Sequence, residues 1–178
     1  MDIKSLSKDQ PSYPITSQDW FRELDCVGNA ELLNLPMLAI FSSAKCPASL
    51  ILKAHDFAKE IRNGETGIIS GFHAPAEKEV LEVLLKGTCP IIAVLGRRLE
   101  GARIPSMWKS EIDKGRMLVI SPFNEYQAHV TKVMSLKSND IAARIARRVI
   151  IIHASPEGSL ISRIEKWKAD NIIVETWG

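Results

Sequence analysis

From residue 37 onward the chain alternates two hydrophobic rhythms. Short uninterrupted apolar runs occur at MLAIF (37–41), GIIS (67–70), IIAVL (91–95), MLVI (117–120), VIII (149–152) and IIVE (172–175). Runs that short and that apolar predict strands buried on both faces. Between them, apolar residues recur every three or four positions. Leu50, Ile51, Ala54, Phe57, Ala58 and Ile61 share one helical face over 49–62, and Val80, Leu81, Leu84 and Leu85 do so over 76–86. Gly64, Gly87 and Gly115 read as helix stops, and Pro105 reads as a helix start. Further helices are expected over 138–147, with Ile141, Ala142 and Ile145 inward, and over 158–168, with Leu160, Ile161, Ile164 and Trp167 inward. Residues 121–137 fit neither period and read as an irregular excursion.

The N-terminal part differs. Residues 1–16 are polar, contain Pro11 and Pro14, and read as a loose arm. Ser17 with Asp19, followed by Trp20, Leu24 and Val27, predicts a short helix ended by Gly28 and Asn29. The expected organisation is therefore an arm and short helix over 1–35, then one domain over 36–178. Strands alternating with helices predict an α/β fold, a Rossmann-like three-layer sandwich with a mostly parallel central sheet.

Composition narrows the function. The length of 178 residues suits one domain, and 46% hydrophobic residues suffice for a continuous core. The net charge is only +2, so any phosphate-binding surface must be a local patch rather than a basic face. Cys26, Cys46 and Cys89 are widely spaced with no CxxC pair, which predicts reduced thiols rather than a metal site or disulfides. The N-terminus lacks a signal-peptide core and no apolar stretch is long enough for a membrane helix, so a cytoplasmic protein without a membrane partner is expected.

In a parallel sheet, ligands bind beyond the carboxyl ends of the strands. That rule selects a few loops. SSAKCP (42–47) offers Ser42, Ser43 and Lys45 before a helix start, where backbone N–H groups and partial positive charge suit an anion. SGFHAPAE (70–77) offers Ser70, Gly71 for close backbone approach, and His73 four residues before Glu77. The plainer alternative makes His73 a loop residue and Glu77 a first-turn carboxylate facing the helix dipole. HASPEGSL (153–160) places Gly158 and Ser159 at a helix start, a shape suited to a phosphate. Arg97, Arg98 and Arg103 offer a possible nucleic-acid track, with a solvated face as the alternative. No catalytic triad, HExxH or carboxylate pair occurs, so binding is expected rather than catalysis, with no catalytic residue, metal or cofactor assigned.

Taken in order, these loops resemble the DprA/Smf DNA-processing family of the SLOG superfamily over roughly residues 38–175. IAVLG (92–96) is similar to the family's third strand, Ser70-Gly71 to its Ser-Gly turn, and GSLIS (158–162) to its Ser-Gly-Ser-Leu-x-Thr turn. Ser43 matches the serine of the family's Gly-Ser-Arg turn and Asn139 the centre of its Arg-Asn-Arg. Ala44, Ala74, Ser138 and Asp140 stand where family arginines would be, which removes bidentate phosphate contacts. The resemblance implies binding of single-stranded DNA during DNA processing, recombination and natural transformation, cooperation with a RecA-type recombinase, and a homodimer. It also implies a phosphate pocket of Ser42, Ser43, Lys45, Ser70, Gly71, Asn139, Gly158 and Ser159. The alternative is a nucleotide or phosphorylated-metabolite binder, a sensor or phosphoribohydrolase-like enzyme. That branch's Pro-Gly-Gly-x-Gly-Thr turn is replaced here by SPEGS (155–159). A third possibility is a partner-binding surface using Trp108, Trp167 and Trp177, against ordinary packing of those rings.

Overall fold

The computed structural model describes residues 4–7, 23–126 and 129–178. The described residues form an eight-stranded sheet in the order β1-β2-β6-β5-β4-β3-β7-β8. In sequence these strands are β1 (Lys4–Ser7), β2 (Glu23–Gly28), β3 (Met37–Ser42), β4 (Gly67–Ser70), β5 (Ile91–Val94), β6 (Met117–Ser121), β7 (Arg148–His153) and β8 (Ile173–Thr176). The pairings from β6 through to β8 are parallel, while β1 and β2 add antiparallel strands at one edge. The expected mostly parallel α/β architecture is the observed one.

Alternation along the strands explains the layers. Ala39, Phe41, Ile69, Ile92 and Val94 feed one core, while Leu38, Ile40, Ile68, Ile91 and Ala93 feed the other. The helices α4 (Lys132–Ala146) and α5 (Ser159–Ala169) cover the first core with Ile141, Ala142, Leu160, Ile164 and Trp167. The helices α1 (Ala48–Ile61), α2 (Pro75–Leu84) and α3 (Ser106–Asp113) cover the second with Ala54, Ala58, Val80, Leu84 and Ile112. Each large apolar side chain buried this way contributes about 1.5–3 kcal/mol. Arg116 anchors the far end of α2: its guanidinium donates to the Leu84, Leu85 and Cys89 carbonyls and pairs with Glu111 at 2.6 Å.

Several expectations change. The helix expected from Ser17 is a strand where it is described, because β2 runs antiparallel to β6 with Cys26 opposite Ile120. Leu24 and Cys26 enter one core and Val27 the other, so the spacing of Leu24 and Val27 that mimics a helix is a strand using both faces. Gly28 ends that strand rather than a helix. Its φ is +114°, and a Cβ there would lie 2.3 Å from the Met117 carbonyl oxygen. Residues 17–22, including Trp20, lie outside the described residues. Within the stretch read as a loose arm, Lys4–Ser7 pairs with β2. The irregular excursion over 121–137 ends early, because α4 begins at Lys132 with the Thr131 hydroxyl accepting from the Met134 N–H at 3.2 Å. Ile161 is exposed rather than inward. Trp167 is fully buried against Phe41, with its indole N–H donating to Asp140, so it serves the core and not a partner surface.

Candidate functional site

From β3 the chain crosses through α1 to β4 on one side, while β7 lies on the other. This reversal leaves a crevice at the carboxyl ends of β3 and β7, the place where doubly wound sheets hold ligands. A cavity of about 410 Å³ occupies it.

Three loops build the cavity. At the end of β3, the Ser43 N–H donates to the His153 carbonyl at 2.8 Å, and the Ser43 hydroxyl accepts from the Ser155 N–H at 2.9 Å. Ser43 thus ties β3 to the loop after β7. That loop turns tightly, with the Gly158 N–H donating to the Ser155 carbonyl at 2.7 Å. A Cβ on Gly158 would stand 2.8 Å from that same oxygen, so the turn needs glycine for space. Gly158 is the N-cap of α5 and supplies no side chain to its first amides. Ser159 and those uncapped amides border the cavity, an arrangement suited to an anion.

Glu77 joins the third loop to the first. It is fully buried, and its carboxylate accepts from the Ser42 N–H at 2.8 Å, the His73 N–H at 2.8 Å, the Ala74 N–H at 3.4 Å and the Ser70 hydroxyl at 3.3 Å. Burial pushes the carboxyl up to about 7, against the opposing pull of those four donors. Both sequence readings of Glu77 therefore apply: it is a first-turn carboxylate of α2 and it lines the cavity. His73 also lines the cavity, and burial, then Lys78, hold its imidazole below the usual histidine value.

Ser42, Ser43, Lys45, His73, Glu77, Asn139, Gly158 and Ser159 all reach this one cavity. Ser70 and Gly71 sit behind it. Ser70 is wholly buried, accepting from the Phe72 N–H while donating to Glu77. The space beside Gly71 holds the His73 ring, where a Cβ would meet it at 2.4 Å, so its close approach is to an imidazole. Arg97, Arg98 and Arg103 do not converge on the cavity. Arg97 is exposed. Arg98 pairs with Glu100 at 3.4 Å and lies 5.2 Å over the Tyr126 ring. Arg103 lines a separate cleft of about 760 Å³ with Lys109.

Sequence reasoning does not find Lys132, Ser135, Leu136 or Ser155, which also line the cavity. The first three lie on the opening turns of α4. Thr131 as an N-cap, followed by Met134, Ile141 and Ala142 on one face, is the available signal. Two polar atoms in the lining residues are buried without a hydrogen-bond partner, Asn139 Oδ1 and His73 Nε2. Among the described residues no group of three or more His, Cys, Asp or Glu is placed to hold a metal, and no helix is long and apolar enough to cross a membrane.

A mostly parallel sheet covered by helices on both faces, with a cavity at its switch point, places the chain among Rossmann-like domains. The family model for DNA recombination-mediator protein A matches residues 4–167, and the chain belongs to that family. DNA processing protein A (DprA) from Streptococcus pneumoniae superposes with a TM-score of 0.80 at 23% identity, covering 98% of this chain and 62% of that one. DprA from Helicobacter pylori, described for its single-stranded DNA binding mode, superposes with a TM-score of 0.75 at 19% identity, covering 98% and 80%. The Moco carrier protein of Chlamydomonas rheinhardtii gives a TM-score of 0.50 at 14% identity, covering 80% and 75%. At these identities the likeness concerns the fold, and this chain spans 62% of the pneumococcal protein. No curated protein sequence matches.

Proposed function

We propose that the chain binds single-stranded DNA through the cavity at the ends of β3 and β7. The observation that carries this is the convergence of the uncapped α5 N-terminus, Ser43, Lys45 and Lys132 on one crevice. Family membership in DNA processing supports it, as does the strand binding described for the Helicobacter protein. The lysines act as point charges where bidentate arginines would have held phosphate more tightly, so affinity is modest. Cooperation with a RecA-type recombinase, homodimer formation and a cytoplasmic setting belong to the same proposal.

A salt titration tests it. Log affinity for an oligonucleotide falls linearly with log salt, with a slope of about −0.7 for each phosphate neutralised. Lys45→Ala and Lys132→Ala each flatten that slope by somewhat less than one unit. No binding at low salt, or a slope unchanged in both variants, rules the pocket out as the strand-binding site. A cavity of about 410 Å³ also suits a free nucleotide, which is the second reading.

A further inference from the structure

The cavity is not uniform. Its cations, Lys45 and Lys132, are exposed at the mouth. Its inner wall is made of neutral or acidic groups: Asn139, only 7% exposed, the His73 imidazole, and the Glu77 carboxyl. Asn139 Oδ1 is buried with no partner, and so is His73 Nε2, held between Gly71 and Gly96. Native proteins leave few buried polar atoms unsatisfied, and each one is costly. A carbonyl-type oxygen such as Oδ1 needs a donor. A phosphodiester has only acceptors, so it would be repelled there, and it is better served by the lysines and the α5 amides at the mouth.

Resting on the strand-binding function above, we infer that the inner end of the cavity takes a nucleobase, whose polar edge pairs with the Asn139 side-chain amide while its phosphate stays at the mouth. An amide places one acceptor beside two donors, so it pairs with any base edge carrying a donor next to an acceptor. Thymine offers N3–H between two carbonyls, and the other bases offer equivalent pairs. The pocket therefore discriminates base from no base rather than one base from another.

Oligothymidine, an abasic strand of equal length, and a strand of N3-methylthymine are the probes, measured by fluorescence anisotropy on the full chain at low salt. Oligothymidine binds roughly 5- to 150-fold more tightly than the abasic strand, the range expected of a bidentate base contact. N3-methylation removes most of that difference. Asn139→Leu abolishes it, so that the variant binds oligothymidine no more tightly than the abasic strand, and it keeps or raises Tm because an unsatisfied buried amide has gone. Equal binding of oligothymidine and the abasic strand by the unmodified protein overturns this inference while leaving strand binding intact, as does full discrimination surviving in Asn139→Leu, or N3-methylthymine binding as tightly as oligothymidine. Binding of none of the three strands overturns both readings.

Discussion

At Glu77, burial and hydrogen bonding act in opposite senses. Four donors stabilise the carboxylate, yet full burial raises its pKa from 4.5 to about 7. Between those values the unfolded chain has released a proton that the folded one keeps. Stability therefore falls as pH rises from about 4.5 to 7, by about 3 kcal/mol at most, and levels off above. His73 works the other way. Its folded value lies below 6.5, so just below 6.5 the unfolded chain binds the extra proton, and this contribution to stability rises with pH until it levels off above about 6.5. Glu77→Gln isolates the carboxyl. Urea unfolding at pH 5 and pH 7.5 should show the native protein losing more stability across the interval than the variant does. Equal losses would mean that Glu77 ionises normally in its fold. The variant is also less stable at pH 5, since the amide NH₂ brings two donors toward the Ser42 and His73 N–H groups where the protonated carboxyl has one.

At the scale of elements, the pocket depends on how α5 begins. Gly158 has an ordinary extended backbone, with φ −81°, so alanine is not strained there by dihedral angle. Its added Cβ would sit 2.8 Å from the Ser155 carbonyl oxygen and 3.4 Å from the Ser43 hydroxyl. Gly158→Ala should open the turn, break the Ser43–Ser155 link and weaken strand affinity several-fold, at a stability cost of about 1–2 kcal/mol. Anisotropy and thermal unfolding read the two effects separately, and unchanged affinity would show that this turn does not shape the site. The start of α5 is legible in the sequence, because Gly-Ser precedes an amphipathic run directly. The strands β3 to β7 are legible because burial on both faces leaves few polar positions to blur them. The start of α4 is not. Its buried face includes Ser138 and Asn139, polar residues at core positions, so the helical period is broken where the site needs polarity. β2 misleads for a related reason. An edge-side strand with cores on both faces has neither clean alternation nor an unbroken apolar run.

At the scale of the whole molecule, a net charge of +2 means that the general field of the protein does little to attract DNA. The proposed binding therefore rests on the crevice, which is assembled from the ends of β3, β4 and β7 together with the openings of α2, α4 and α5. Those elements come from both helical layers and from the centre of the sheet. Unfolding separates them, so a strand held there is a ligand of the native state. Saturation at 100 times Kd then adds about 2.7 kcal/mol to global stability. For a chain of this size, each 1 kcal/mol moves Tm by about 2–4 °C, so oligothymidine should raise Tm by roughly 5–10 °C in low salt. The shift should vanish in high salt, where counterion release no longer favours binding. A surface-tracking mode on the Arg97 and Arg98 loop gives a different pattern. It responds to Arg97→Ala and ignores Lys45→Ala and Gly158→Ala. A Tm shift reduced by Lys45→Ala and kept in Arg97→Ala assigns the strand to the crevice, and the reverse assigns it to the loop.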